Sequence, residues 1–270
     1  LLTLGLVKGN DCGWGSPSTV ISLAAAVAAL ALFALHCARA RNPLIDGSLF
    51  RNRAFTGSSV VAIVFSIAFG AMLLSIVLWD QQVWGWSALQ TGLGVAPGPL
   101  MVPMFSFLVA GGAIARFGPG RVIAAGATVY AAGAAWWTLR SGLTADYAGE
   151  MLPGMLMTGI GVGLTLPTFM STGASALPPH SFATGSAVVN MLRQVGLAVG
   201  VAVLVAVIGT PLTGPAQLAA FRHGWIVIAS TALLAAISGA VLLRPRPDRA
   251  RESARWSSAA ASPPALPERQ

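Results

Sequence analysis

Ser186, Asn190 and Arg193 follow one another at spacings of four and three, with Gln194 beside them. On an α-helix those spacings put the first three side chains on one face. The stretch that carries them, 185–209, is otherwise almost wholly apolar. A guanidinium there stays charged and offers five donors in a fixed fork. Placing it inside an apolar span costs at least about 2.5 kcal/mol, so such a group faces a protein interior or a wet cavity. The chemistry open to it is non-covalent: binding a polar group, lining a water-filled path, or exchanging partners as a gate. We expect Ser186, Asn190, Arg193 and Gln194 to line a substrate path or gate. The competing reading is an arginine that reaches back to the interface or bonds helix-end carbonyls.

Little else in the chain could carry catalysis. The eight carboxylates are Asp11, Asp46, Asp80, Asp146, Glu150, Asp248, Glu252 and Glu268, and none lies deep in an apolar stretch. Asp80, at the end of one, is the candidate for a proton-binding group at the rim. His36, His180 and His223 are isolated, and no pair has metal-ligand spacing. Cys12 and Cys37 fall at opposite ends of one stretch, so no disulfide joins them. The single lysine, Lys8, lies in a loop, which excludes a retinal Schiff base within a helix. Paired aspartates, a Ser-His dyad and HExxH are absent from the apolar stretches. No catalytic residue, metal or cofactor is therefore expected.

The elements that hold these residues are seven apolar stretches, near 18–37, 54–79, 89–112, 121–140, 150–172, 185–209 and 222–243. Each is about the 20 residues that cross a hydrocarbon core about 30 Å thick. With 55% hydrophobic and 9% charged residues and a mean hydropathy of +0.74, the chain is unlike soluble domains, in which about a quarter of residues are charged. The fold class is an all-α membrane protein, a polytopic transmembrane helix bundle. The alternating ten-residue segments of a β-barrel are absent.

Residues 1–7 are apolar but too short to span. They read as the end of a helix, so the sequence is expected to be the C-terminal portion of a longer protein. Residues 244–270 are rich in Pro, Arg, Ser and Ala without apolar periodicity, the composition of a disordered tail. Its arginines could touch anionic headgroups, although a plain topology anchor explains them as well.

A net charge of +8 would suggest nucleic acid in a soluble protein; here its distribution tells more. Arg39, Arg41, Arg51 and Arg53, then Arg116 and Arg121, then six arginines of the tail all fall on one side of the seven spans. The other side holds Lys8, Arg140 and Arg222. Basic loops stay cytoplasmic, so the tail is expected inside and nucleic acid is not a partner. Trp79, Trp84 and Trp86, and again Trp136 and Trp137, fall at expected outer boundaries as interfacial belts.

Two spans carry GxxxG, Gly159 to Gly163 and Gly196 to Gly200, which lets helix backbones approach closely in lipid. The third full span holds Pro97, Pro99 and Pro103 among three glycines, and is expected to kink. Such interrupted helices occur along transporter substrate paths, and equally as simple packing kinks. Beyond the polar stripe, Val201, Val203, Leu204 and Val205 are expected to meet lipid.

Several runs together resemble the fourteen-helix drug:proton antiporters of the major facilitator superfamily (the EmrB/QacA type). They are Arg51-Asn52-Arg53-Ala54-Phe55, Gln81-Gln82-Val83-Trp84-Gly85, Leu89-Gln90-Thr91-Gly92-Leu93 and Pro97-Gly98-Pro99. Arg116-Phe117-Gly118-Pro119-Gly120-Arg121 resembles that family's basic loop between paired helices. Arg193-Gln194-Val195-Gly196 with Gly200-Val201-Ala202 resembles its penultimate-helix signature. The resemblance implies the C-terminal portion of a major facilitator fold. Residues 1–53 would be a helix end, a linking helix (18–37) and a basic cytoplasmic loop; 54–243 would be the six-helix C-terminal half; 244–270 would be the cytoplasmic tail. It further implies proton-coupled efflux of small hydrophobic or cationic drugs across a bacterial inner membrane, with an N-terminal half of the same protein as partner. Arg116, Gly118 and Arg121 would form a cytoplasmic latch. Two positions depart from the family pattern: Ala115 stands where an aspartate is usual and Gly120 where a basic residue is usual, so the latch is expected to be weaker. The alternatives weighed are a seven-helix receptor, which gives the same outline, and a non-transporting membrane subunit.

Overall fold

The computed structural model describes residues 52–178, 181–209 and 213–243. Within them lie six helices long and apolar enough to cross a membrane. They are α1 (Arg53–Gln82), α2 (Ala88–Leu108), α3 (Pro119–Arg140), α4 (Tyr147–Ser175), α5 (Phe182–Ile208) and α6 (Gly214–Leu242). No strand occurs among the described residues. The six match six of the seven stretches expected from sequence, with ends shifted by several residues. The seventh stretch, 18–37, and the tail 244–270 lie outside the described residues, as do His36, His180 and both cysteines.

Local signals set the ends. The Asn52 side chain accepts from the Ala54 amide at 3.0 Å, satisfying a donor that the first helical turn leaves free. Ser87 and Gln90 form a capping box at the start of α2. α6 begins at Gly214 with a proline in its first turn, eight residues before the apolar stretch alone indicated. Arg222 and His223 therefore lie inside a helix rather than at its end, because a polar first turn carries no hydropathy signal.

Four helices make the core. α6 packs on α3 and α1, and α3 packs on α4. α5 is applied to α1, and α2 to α4. Small residues make these seams. A Cβ built on Gly196 would lie 2.6 Å from the Ile63 carbonyl of α1, and one on Gly200 would lie 3.0 Å from the Ala71 nitrogen. Gly159 and Gly163 of α4 meet Met101, Val102 and Phe105 of α2. On its other side α4 presents Gly154 and Gly161 to Trp137 and Tyr130 of α3. Both GxxxG motifs thus work as expected, each against a single neighbour. The Tyr130 hydroxyl also donates to the Ala68 carbonyl at 3.2 Å, tying α3 to α1.

One end of the bundle is filled by aromatic rings. Trp79 lies 4.9 Å from Trp225 and 5.2 Å from Phe221, ring centre to ring centre, in edge-to-face contact. Trp79, Trp137 and Trp225 are fully buried. They are core rather than an interfacial belt, which corrects the reading of Trp79 and Trp137; large rings from three helices bury more area against one another than against lipid headgroups. Trp84, Trp86 and Trp136 are half-buried. Leu204 is also buried, against Gly224 of α6 at 3.0 Å from a Cβ built there, and does not meet lipid.

Candidate functional site

The polar stripe lies on α5, whose most apolar stretch is only 22% buried inside the bundle, against 56% for α1 and α4. Asn190 and Gln194 are exposed, and Ser186 and Arg193 are half-buried. α5 turns its glycines toward α1, so the opposite face, with the amides, is left uncovered by the described helices. The Arg193 Nε donates to the Asn190 Oδ1 at 3.2 Å. Arg193 sits about 17 Å along a helix of 27 residues, close to its middle. Among the described residues no carboxylate reaches it: Asp80, Asp146 and Glu150 all lie at the far end. An arginine held by one neutral amide keeps most of its donors free for another group. The structure thus brings Asn190 and Arg193 into contact and leaves Ser186 and Gln194 flanking them, without a mutual hydrogen bond.

α2 is the other uncovered helix, 17% buried. Its outward face carries Leu93, Leu100, Met104 and Phe107, all more than half exposed. Pro99 and Pro103 are exposed on it, and Pro97 is half-buried. The helix is interrupted between Val95 and Pro97, where a new segment starts with proline in its first turn, and Pro103 sits inside that segment. The largest departure is further on, in a π-helical turn over Val109–Ala113, where Gly112 has φ +113°. The Gly111-Gly112 pair was the sequence signal for this bend, which the prolines overshadowed.

At the same end, Gly118 links α2 to α3 with φ +81° and ψ 153°, an essentially glycine-only conformation that costs other residues about 1–3 kcal/mol. It lies between Arg116 and Arg121, both exposed, and the Arg116 guanidinium rests 5.3 Å from the centre of the Phe117 ring. Gly120 is buried, and a Cβ there would lie 2.7 Å from the Leu243 carbonyl and 2.8 Å from that of Gly239. A basic side chain at 120 has no space, which explains that departure from the family pattern. Ala115 is exposed, and nothing in the packing dictates it.

Asp80 occupies the opposite end, near the close of α1. It is 1% exposed, and its Oδ1 has no hydrogen-bond partner among the described residues. Its carboxyl is thus enclosed rather than open to solvent, and the chain returns past it through Trp86, whose amide donates to the Asp80 carbonyl at 3.0 Å. Nearby, a cavity of about 410 Å³ is lined by Trp86, Gln90, Leu93, Gly94 and Tyr147, with the Tyr147 hydroxyl donating to the Gly94 carbonyl at 2.8 Å. Tyr147 was absent from the sequence-based set because it stands alone in a loop-like stretch. On the same end Arg222 donates to the Ser141 carbonyl at 3.0 Å and Arg140 lies over the Trp136 ring. No group of three or more potential metal ligands occurs among the described residues.

Six apolar helices of spanning length, joined by short loops and packed through glycines, define a multi-pass membrane protein. The family profile described as "Major Facilitator Superfamily" matches residues 12–201, and the chain belongs to that superfamily. It is similar to the cephamycin export protein CmcT of Amycolatopsis lactamdurans, 32% identical over 90% of this chain and 50% of that protein. It is 31% identical to the puromycin resistance protein pur8 of Streptomyces alboniger over 72% of this chain and 39% of that protein. It is 30% identical to a multidrug resistance protein B homolog of Mycobacterium tuberculosis over 66% of this chain and 34% of that protein. The chain thus spans between about a third and a half of the length of these relatives.

Proposed function

We propose that this chain forms the C-terminal half of a fourteen-helix efflux transporter, and that the uncovered face of α5 borders its substrate path. The observation that carries the reading is the Asn190–Arg193 pair near the middle of an otherwise apolar, uncovered helix. A charge at that height is stable only beside water or another polar protein surface. α2 and α5, the two least covered helices, are then the edges that meet an N-terminal half, and the two halves alternate access by rocking about a central path. Relatives named for cephamycin export and for puromycin resistance support drugs as cargo. An uncovered apolar wall beside a few polar groups suits small hydrophobic or cationic molecules. The chain acts as a transporter rather than an enzyme, in a bacterial inner membrane, with the arginine-rich end and the tail cytoplasmic. Residues 1–53 supply a linking helix and loop ahead of the six-helix unit 54–243. Protons drive the exchange, with Asp80 as the candidate carboxylate in this half. Pro97, Pro99 and Pro103 shape the α2 wall, and Arg116, Gly118 and Arg121 form the cytoplasmic latch.

The test is Arg193→Ala in the complete transporter, expressed in a drug-sensitive strain. Efflux of a fluorescent amphipathic cation is expected to fall at least tenfold at matched membrane abundance, with partial recovery in Arg193→Lys. Wild-type efflux by a well-expressed Arg193→Ala protein refutes the placement of the path.

A further inference from the structure

A cavity of about 580 Å³ opens at the Arg116 end, between α2, α3 and Leu164 of α4. Leu108, Phe117, Val122 and Leu164 give it apolar walls, and Arg116 and Arg121 contribute two guanidinium groups. Neither arginine has a carboxylate partner among the described residues, whose three carboxylates all lie at the other end of the bundle. The Leu243 carbonyl abuts Gly120, the neighbour of Arg121. Residues 244–270 carry six arginines against three carboxylates, a net charge of the same sign as the site. Residues 38–53 carry four arginines against Asp46 alone. An occupant that satisfies both features is anionic at one end and apolar along the rest.

We propose that a phospholipid with an anionic headgroup occupies this cavity, its phosphate held by Arg116 and Arg121 and an acyl chain lying along Leu108, Val122 and Leu164. Guanidinium groups pair bidentately with phosphate oxygens, and such charge-assisted bonds are about twice as strong as neutral ones. The reversal at Gly118 places the two arginines on either side of one tight turn. The bend at Gly112, itself a lining residue, shapes the α2 wall. Bound lipid would bridge α2 to α3 where the described helices leave a gap. This inference goes beyond efflux, since retention of a lipid requires no transport.

The experiment is native mass spectrometry of the purified full-length protein, delipidated and then exposed to equal amounts of phosphatidylglycerol and phosphatidylcholine. The wild type is expected to retain phosphatidylglycerol selectively. At about 1 kcal/mol per arginine, the selectivity falls about fivefold in Arg116→Ala or Arg121→Ala and about 30-fold in the double variant. Ala125→Trp, which keeps both charges but obstructs the apolar wall, is expected to lower retention as well. Arg140→Ala, at the opposite end, leaves it unchanged. Thermal unfolding of each variant separates loss of lipid from loss of fold. Equal uptake of the two lipids by the wild type, or equal retention by the wild type and the double variant, overturns the proposal. So does full displacement by millimolar inorganic phosphate together with unaltered retention in Ala125→Trp, which would mark a bare anion site. A several-fold rise in retention on deleting 244–270 would mean that the tail fills the cavity, and would overturn it too.

Discussion

Gly196 and Gly200 set the distance between α5 and α1, and that distance makes a prediction with a sign. In Gly196→Ala the new methyl would stand 2.6 Å from the Ile63 carbonyl and 2.8 Å from the Ser66 Cβ. A carbon and a carbonyl oxygen rest at about 3.3 Å or more, so the helices must part by about 0.7 Å. The Ile63 atoms are backbone, and no rotamer change relieves them. Overpacking of this kind costs about 1–3 kcal/mol, while alanine returns up to about 1 kcal/mol of helix propensity. The net loss is about 1–2 kcal/mol, a fall of about 2–8 °C in unfolding temperature for a chain of this size. Gly92→Ala is the control. It lies on the uncovered face of α2, and a Cβ there meets no atom within 4 Å, so only the propensity gain of about 0.5–1 kcal/mol remains. The eight tryptophans provide the fluorescence signal for thermal unfolding in detergent. The two substitutions are expected to move the midpoint in opposite directions. A Gly196→Ala protein as stable as Gly92→Ala would refute the close approach of α5 to α1.

Asp80→Leu is expected to raise the unfolding temperature, because an unpartnered buried carboxylate oxygen costs about 1–3 kcal/mol; a lowered midpoint would mean that the carboxylate has a partner in the folded protein. If Asp80 is also the proton site, the same variant loses uphill efflux while binding substrate normally in equilibrium dialysis. Trp225→Ala removes the ring that Trp79 and Phe221 pack against and is expected to destabilise by about 3–5 kcal/mol, and a loss under 1 kcal/mol in the same unfolding assay would contradict the aromatic core. Gly118→Ala should cost about 1–3 kcal/mol, because φ +81° with ψ 153° is an essentially glycine-only conformation, whereas Ala115→Asp, on an exposed position, should leave stability within about 0.5 kcal/mol.

Hydropathy made six helices legible because lipid imposes a long unbroken apolar run on each span. It said less about which faces meet. Both GxxxG motifs were readable as close contacts, yet the choice of α1 for Gly196 and of α2 for Gly159 depends on helix order in space, which no local pattern encodes. Tryptophans near span ends look the same whether they greet headgroups or stack on one another; Trp84 and Trp79 sit five residues apart and end up half-buried and fully buried. Distance along the chain put Asp80 at the end of a span, but its burial depends on packing between elements, which no local pattern encodes. That Ser186, Asn190 and Arg193 share one face was legible, since spacing alone fixes a helix face, but spacing does not say what that face meets. The bend at Gly112 was hidden by three prolines that a helix can hold when each lies near a segment start or on an open face.

The placement of charge along the bundle has an electrical consequence. Of the Asp, Glu, Arg and His side chains among the described residues, Arg53, Arg116 and Arg121 sit near one end and Asp80, Arg140, Asp146, Glu150, Arg222 and His223 near the other, leaving Arg193 alone among them at mid-height. A full elementary charge crossing a membrane at 100 mV exchanges about 2.3 kcal/mol with the field. If a rocking motion carried Arg193 through about a tenth of that field, the coupling would be only about 0.2 kcal/mol, below thermal energy. Under the proposed rocking, reorientation of the described helices is then nearly blind to membrane voltage.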